Sequence, residues 1–113
     1  MAKTATVSLS EPVVGHGEPI REVKLREPTA GEFIATGEVL TRAYNADGSS
    51  FLVENNAAIA AYLESSIVEP KSADLLLGQA SLVDGMRLKE AVLGFFGDAR
   101  SVLQSKSAPT SSS

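Results

Sequence analysis

The chain changes its hydrophobic period near residue 28, and this change limits the folds that it can adopt. In the first segment Ala5, Val7 and Leu9 alternate with threonine and serine. In an extended strand this alternation places all three apolar side chains on one face. Residues 22–26 repeat the alternation after a segment that contains two prolines and two glycines, the residues that turn a chain. We therefore predict an N-terminal β-hairpin over about residues 4–27.

A helix is predicted to begin directly after Pro28, because proline has no N–H with which to continue strand pairing. Thr29 and Glu32 have the spacing of a capping box, in which each side chain accepts a hydrogen bond from the other's backbone N–H. The apolar residues that follow supply one side of a helix over about residues 30–44. Residues 45–50 are rich in turn-forming types and predict a break after it.

The rest of the chain has the apolar spacing of helices. Within residues 59–67, four apolar residues repeat at the i, i+3, i+4 and i+8 positions of an amphipathic helix and form a first apolar stripe. A brief helix is predicted before Gly78, and the last helix opens at Ser81, whose hydroxyl can cap it. The first stripe consists of Ile59, Tyr62, Leu63 and Ile67, and the apolar face of the last helix includes Leu88, Val92, Phe95 and Phe96.

These patterns together predict an α+β fold, with an N-terminal β-hairpin followed by three or four α-helices and a flexible C-terminal tail. The 113 residues suffice for one domain. We place that domain at residues 1–100, with the hairpin at about 4–27 and the helices at about 30–99. Residues 101–113 are rich in serine, and their few apolar side chains do not offset the entropy of ordering them.

Charge and composition argue against several classes of function. The formal net charge of −4 disfavours nucleic acid as a partner, because affinity for phosphates comes from clustered Lys and Arg. No stretch approaches the roughly 18 apolar residues of a membrane span, and the first residues lack the apolar core of a signal peptide. We therefore expect neither membrane insertion nor export. The absence of cysteine excludes disulfides and thiolate metal sites, and it is compatible with the cytoplasm.

No group of residues in the sequence indicates catalysis. His16 is the only histidine, and its local sequence supplies no partner for a metal or acid–base role, so we interpret it as an exposed turn residue. No serine stands in a Gly-x-Ser-x-Gly elbow. The pair Gly15 and Gly17 lacks both the third glycine and the following helix of a dinucleotide-binding loop. We expect a protein without enzymatic activity, cofactor or metal.

Phe95 and Phe96 are adjacent in the last predicted helix, where their side chains point about 100° apart. Two such side chains rarely enter one small core equally. One alternative is that both pack beneath the hairpin. The other is that one stays partly exposed and, with Leu88 and Val92, forms an apolar patch that binds a partner. Such a patch can also pair copies of the chain, so a homo-oligomer is compatible with the sequence.

Three segments of the chain resemble the tail assembly chaperones of long-tailed bacteriophages, in particular the small kind encoded by contractile-tailed phages. Residues 7–13 (VSLSEPV) are similar to the first strand and turn of that family, and residues 20–31 (IREVKLREPTAG) to its second strand running into a helix. Residues 82–97 are similar to its closing helix, through LVDG at the start and FFG at the end. Residues 45–78 match only in their helical, aliphatic character.

The resemblance implies a protein that acts in the host cytoplasm during infection and does not remain in the mature virion. It implies binding to the long, helical tape measure protein, which the chaperone keeps soluble while tail-tube subunits polymerise around it. A helix of that client can lie in an apolar groove, which we expect between the first and last predicted helices. The expected anchor contacts are Leu88, Val92, Phe95 and Phe96.

Two other functions remain open at this point. A minor structural tail protein or connector protein of the virion can also be small and soluble before assembly. The third hypothesis is a small regulator or inhibitor directed at a host protein. Presence in purified virions distinguishes the structural protein from the chaperone, and a regulator would bind a bacterial protein without associating with tail proteins.

Overall fold

The computed structural model describes residues 3–15, 17–71 and 73–110, with residues 106–110 described for their backbone alone. Within these ranges the chain forms two antiparallel sheets and four helices. The predicted α+β class, with an N-terminal hairpin followed by helices, is confirmed. In chain order the elements are β1 (Thr4–Val13), β2 (Ile20–Arg26), α1 (Ala30–Thr36), β3 (Leu40–Tyr44), β4 (Ser50–Glu54), α2 (Asn56–Ser66), β5 (Ile67–Glu69), α3 (Ala73–Gln79) and α4 (Leu82–Thr110).

The predicted N-terminal hairpin is formed by β1 and β2, which pair antiparallel with Val7 opposite Val23. The register shifts between Ser8 and Val13, so that Val13 pairs with Ile20. Strand β2 begins at Ile20, which lies on the other side of this register shift from Val23. Strand β5 pairs with the other edge of β2, and the three strands have the order β1-β2-β5.

The capping box predicted at the start of α1 is confirmed. The Thr29 hydroxyl accepts a hydrogen bond from the Glu32 N–H at 3.2 Å, and the Glu32 carboxylate accepts one from the Thr29 N–H at 2.8 Å. The same carboxylate accepts two hydrogen bonds of 2.8 Å from the Arg26 guanidinium, which also donates to the Ser65 carbonyl. Arg26 therefore joins the end of β2 to the start of α1 and to the last turn of α2.

The helix predicted over residues 30–44 is wrong beyond Thr36. The N–H of Gly37 donates to the Phe33 carbonyl, and Gly37 has a φ of 92°, in the left-handed region that glycine adopts without steric cost. The chain then extends and forms β3. The apolar residues of β3 also fit one face of a helix, so their spacing alone does not reveal that they pair with a strand further along the chain.

A second hairpin, formed by β3 and β4, is absent from the sequence-based prediction, which has only a break at residues 45–50. All five residues of β3 pair with those of β4 without a register shift. The Asn45 N–H donates to the Ser49 carbonyl at 2.8 Å, and the Gly48 N–H donates to the Asn45 carbonyl at 3.1 Å. Gly48 has a φ of 91°, as the left-handed position of a three-residue hairpin loop requires.

Helix α2 supplies three of the four residues of the apolar stripe that the sequence predicts. It begins after Asn55, whose side-chain oxygen accepts a hydrogen bond from the Ala58 N–H at 3.2 Å. It ends at Ser66, and the next residue begins β5 and pairs with Leu25 of β2. Ile59, Tyr62 and Leu63 are buried as predicted, whereas Ile67, predicted on the same helix, is buried as the first residue of β5.

One hydrophobic core lies between the three-stranded sheet and helices α2 and α4. Val23 and Leu25 of β2 and Leu88 and Val92 of α4 are fully buried in it. Aliphatic side chains predominate because the chain has no tryptophan and only 5% aromatic residues. Replacing one buried leucine by alanine typically costs about 2–5 kcal/mol, so these contacts are sufficient to hold α4 on the sheet.

Helix α4 continues to Thr110, although composition predicts a flexible tail from residue 101 onward. Val102 and Leu103 line an apolar groove, and this local role is concealed by the serine-rich composition around them. Residues 111–113 lie outside the described residues. The radius of gyration is 16.6 Å, against about 13 Å for a compact domain near this length. The chain is elongated because the end of α4 and the hairpin of β3 and β4 extend from the core.

The buried carboxylate of Asp84 joins the start of α4 to β1. It accepts hydrogen bonds from the Ser10 N–H at 2.8 Å, the Ser10 hydroxyl at 3.1 Å and the Glu11 N–H at 3.4 Å. The predicted cap is confirmed, since the Ser81 hydroxyl accepts a hydrogen bond from the Asp84 N–H at 3.2 Å. Burial raises the pKa of Asp84, but the hydrogen bonds from Ser10, Glu11 and Ser81 outweigh it and hold that pKa below its ordinary value.

We predict that Asp84→Ala lowers the free energy of unfolding by about 2–4 kcal/mol, because it leaves the donors of Ser10 and Glu11 without their acceptor. Asp74→Ala is the matched control, since Asp74 is an exposed aspartate in the first turn of α3. Its loss should stay under about 1 kcal/mol. Urea denaturation measures both values, and equal losses would contradict a structural role for the Asp84 carboxylate.

We predict a stability contribution from Glu32 that disappears in acid. The hydrogen bonds from Arg26 and Thr29 lower the pKa of Glu32 from 4.5 to about 2. A carboxylate with a depressed pKa in the folded state stabilises the fold above its unfolded value and loses this effect as the pH falls. The difference in Tm between the wild type and Glu32→Gln should therefore be largest at neutral pH and narrow between about pH 4.5 and 2. A difference that is constant with pH would refute this account.

Candidate functional site

An open apolar groove lies between the start of α1 and the second half of α4, the two helices between which the sequence predicts one. Its volume is about 460 Å³. The capping box starts α1 directly after β2, and this placement sets Phe33 against the ring of Phe96 on α4. The groove is lined by the apolar residues Pro28, Ala30, Phe33, Phe95, Phe96, Ala99, Val102 and Leu103 and by the polar residues Glu27, Thr29 and Arg100.

Three aromatic rings form a continuous cluster: Phe33 and Phe96 line the groove, with Phe96 at its base, and the buried Tyr62 contacts Phe96 from the core. The ring centroid of Phe96 lies 5.9 Å from that of Phe33 and 5.0 Å from that of Tyr62, with tilted planes in both pairs. Such tilted contacts are the favourable arrangement for aromatic pairs. The Tyr62 hydroxyl donates a hydrogen bond of 2.6 Å to the Gly37 carbonyl, which ties the end of α1 to α2. The base of the groove is therefore held in place before any partner binds.

Arg100, a charged residue that lines the groove, is paired with an acidic residue beside it. Arg100 forms an ion pair with Glu38, and the hydrogen bond between them raises the pKa of Arg100. Burial raises the pKa of Tyr62, and the nearby charges of Glu38 and Glu32 raise it further. The phenol therefore stays neutral and remains a hydrogen-bond donor at physiological pH. An apolar centre with a polar rim is the usual anatomy of a surface that binds proteins.

The outer wall of the groove leaves apolar side chains open to solvent. Val102 and Leu103 are about half exposed, and Phe33 is also exposed. Exposed apolar residues that occur singly are normal, whereas contiguous ones that converge on a groove mark a binding site. This groove is therefore our candidate site.

The structure separates the four residues predicted to bind a partner. Leu88 and Val92 have exposed fractions of 0% and belong to the core, so a partner cannot reach them in this folded form. Phe95 is 5% exposed, and Phe96 is partly buried. Of the two alternatives for the phenylalanine pair, the structure has Phe95 in the core and Phe96 between the core and the groove.

Of the lining residues, only Phe95 and Phe96 belong to the sequence-based set, and the large apolar residues missing from it are Phe33, Val102 and Leu103. The sequence contains a signal for two of them, because residues 95, 99, 102 and 103 repeat at i, i+4, i+7 and i+8 and continue the apolar face of the last helix. That signal is masked by the serine-rich composition that follows. Phe33 carries no such signal, since its position opposite α4 depends on the tertiary fold.

The described part of the chain contains no group of three or more His, Cys, Asp or Glu side chains arranged to hold a metal ion. His16, interpreted above as a turn residue, lies outside the described residues. Among the helices that are described, none combines the length and apolar character needed to cross a membrane.

Comparison with protein-family models, with curated proteins and with solved structures returns no match. The likeness to tail assembly chaperones therefore rests on the sequence segments quoted above, and the groove is described from its own geometry.

We predict that the base and the wall of the groove differ in their effect on stability. Phe96→Ala removes a ring that contacts both Phe33 and Tyr62, and it should lower the free energy of unfolding by about 2–4 kcal/mol. Val102→Ala changes a half-exposed side chain and should cost under about 1 kcal/mol. Urea denaturation of the two variants tests this, and a Val102→Ala loss as large as that of Phe96→Ala would be inconsistent with an open outer wall.

Proposed function

We propose that this protein is a tail assembly chaperone of a long-tailed bacteriophage and that it binds the tape measure protein in the groove between α1 and α4. The observation that carries the proposal is an open, apolar groove with a preformed aromatic base on a small acidic domain. The resemblance of residues 7–13, 20–31 and 82–97 to that family supplies the identity of the client.

The chemistry of the groove suits an apolar helix as its occupant. A helix with side chains is about 10–12 Å across, and it presents anchor residues at i, i+3, i+4 and i+7 to a groove. The ring of Phe96 and the side chains of Val102 and Leu103 offer apolar contacts to such anchors. A tape measure protein is long and helical, so before the tail tube covers it, it exposes apolar faces of this kind.

The modest size of the groove fits a client that must be released. Interfaces that bury less than about 1,200 Å² are typical of transient encounters, whereas permanent complexes bury more. A groove formed by one short helix and part of another gives contacts of the smaller class. The chaperone can therefore keep the tape measure protein soluble and leave it as tail-tube subunits polymerise, acting in the host cytoplasm without entering the virion.

The net charge is consistent with a protein that keeps an apolar client soluble. A formal net charge of −4 favours solubility while the protein holds an apolar client. No catalytic step is part of the proposal, and neither a cofactor nor nucleic acid is needed for it.

The test is co-expression of this chain with the tape measure protein of the same phage, followed by affinity purification and a comparison of the amount of soluble client. We expect the wild type to co-purify with the client and to increase its soluble fraction. Val102→Asp places a charge in the groove and should remove both effects, because a buried unpaired carboxylate opposes apolar contact.

Val83→Asp is the matched control, since Val83 lies on the same helix, outside the groove, and is 52% exposed against 48% for Val102. It should retain binding and solubilisation. If both variants bind equally well, the groove is not the client site. If the wild-type chain neither binds the tape measure protein nor solubilises it and is found in purified virions, a minor structural tail or connector protein replaces the chaperone as the function.

A further inference from the structure

The hairpin formed by β3 and β4 extends from the domain with both faces open to solvent. Every residue of β4 is exposed, including Phe51, Leu52 and Val53, and Leu40 and Tyr44 of β3 are exposed as well. A two-stranded hairpin without further strands is at best marginally stable in water. Contiguous exposed apolar side chains on such an element mark an interaction surface.

The hydrogen bonds at the two ends of the hairpin establish the phase of its ladder. The Asn45 N–H donates to the Ser49 carbonyl at 2.8 Å, and the Asn55 N–H donates to the Val39 carbonyl at 2.7 Å. The residues between these pairs follow one unbroken register. Hydrogen-bonded and non-hydrogen-bonded pairs alternate along an antiparallel ladder. Counting from either end bond gives the same assignment of hydrogen-bonded and non-hydrogen-bonded pairs.

This phase shows which backbone groups of β4 face away from β3. Phe51 and Val53 use their N–H and C=O groups for the ladder with β3. Those of Ser50, Leu52 and Glu54 point to the opposite edge of β4. Among the described residues no strand pairs with that edge.

The other strand edges carry features that discourage pairing. Strand β1 contains Pro12 and the register shift between Ser8 and Val13, and β5 is only three residues long. Strand β3 has Arg42 at the middle of its outer edge. Strand β4 has no proline, no lysine and no register shift. Native proteins block exposed edges with such features, so the edge of β4, whose one charged residue Glu54 lies at its end, is available for pairing.

We propose that the free edge of β4 pairs antiparallel with β4 of a second copy of this chain and that the twofold axis passes through Leu52. In this register Leu52 of one copy pairs with Leu52 of the other, and Ser50 pairs with Glu54. The outward N–H and C=O groups then exchange hydrogen bonds across the edge. Phe51 lies opposite Val53 of the other copy, an aromatic pairing with a β-branched residue that stabilises sheets. The two hairpins become one four-stranded sheet.

The charges favour this pairing over the other arrangements of two copies. Across the β4 edge no like charges stand opposite each other, and Glu54 already forms an ion pair with Lys89. Two β3 edges in the equivalent register would place Arg42 directly opposite Arg42, which is destabilising.

Pairing of β4 with β3 of another copy leaves free edges at both ends and generates an open chain of molecules, whereas the twofold pairing closes. The dimer does not depend on the proposed client or on the groove.

The oligomeric state of the full chain in solution is the first test. Sedimentation equilibrium over a series of concentrations should show the mass approaching twice the chain mass of 11.8 kDa. Leu52→Pro should return the protein to a monomer, because it removes an outward N–H without breaking the ladder with β3. Arg42→Pro makes the same change at the outer edge of β3 and should still dimerise. Circular dichroism and thermal unfolding confirm that both variants keep the domain folded.

A second measurement does not rely on proline. The chain has no cysteine, so Leu52→Cys introduces a single thiol at the twofold axis. Hydrogen-bonded antiparallel partners have Cα atoms about 5.5 Å apart, within the roughly 4.4–6.8 Å that a disulfide spans. Mild oxidation should convert most of Leu52→Cys to a covalent dimer, and Arg42→Cys should give at least several-fold less.

Each outcome decides the proposal. A wild-type chain that is monomeric at its highest soluble concentration overturns it, as does a dimer that survives Leu52→Pro unchanged. Equal cross-linking of Leu52→Cys and Arg42→Cys also overturns it. If the protein is monomeric and Leu52→Pro instead prevents capture of the tape measure protein, the β4 edge serves the client and not a second copy.

Discussion

The buried carboxylate of Asp84 fixes how the two halves of this fold meet. It lies at the start of α4, accepts hydrogen bonds from β1, and is followed at four-residue spacing by Leu88 and Val92. The polar contact and the apolar contacts therefore act on one face of one helix. Buried hydrogen bonds of this kind are directional and set the register of a helix on a sheet, whereas apolar burial alone tolerates sliding. The position of everything further along α4, including the groove, depends on that register.

The opposite wall of the groove depends on a second polar junction. Arg26 and Glu32 form a bidentate pair in which the carboxylate also completes the capping box of α1. Because Arg26 additionally bonds the Ser65 carbonyl, the end of β2, the start of α1 and the last turn of α2 are joined at one guanidinium. A short helix of this length has little stability of its own. Its place beside α4 comes from this junction and from the aromatic contacts of Phe33.

The sequence alone predicted the fold class correctly, but it did not predict the secondary structure of the middle of the chain. The alternation in the first 28 residues and the Thr29 capping box are local signals, and the N-terminal hairpin and the start of α1 follow from them. The second hairpin follows from no local signal, since the residues of β3 match a helical face as well as a strand. The candidate site likewise combines features that the sequence predicts with features that it does not. The spacing of the apolar residues predicts the apolar face of α4, but which of them face the core and which the groove depends on the tertiary packing.

The two open surfaces are compatible with a stable domain because their exposed parts, the tip of the hairpin and the outer wall of the groove, lie outside the core. The hairpin of β3 and β4 is inserted between α1 and α2 and is anchored where it leaves the domain, by burial of Val39 and by the bond from the Asn55 N–H to the Val39 carbonyl. The groove is anchored by the bond from Tyr62 to Gly37. Changes at the tip of the hairpin or on the outer wall of the groove therefore leave these anchors intact. A chain of this size has little stability to spare, and separating the surfaces from the core lets each bind and release without unfolding the other.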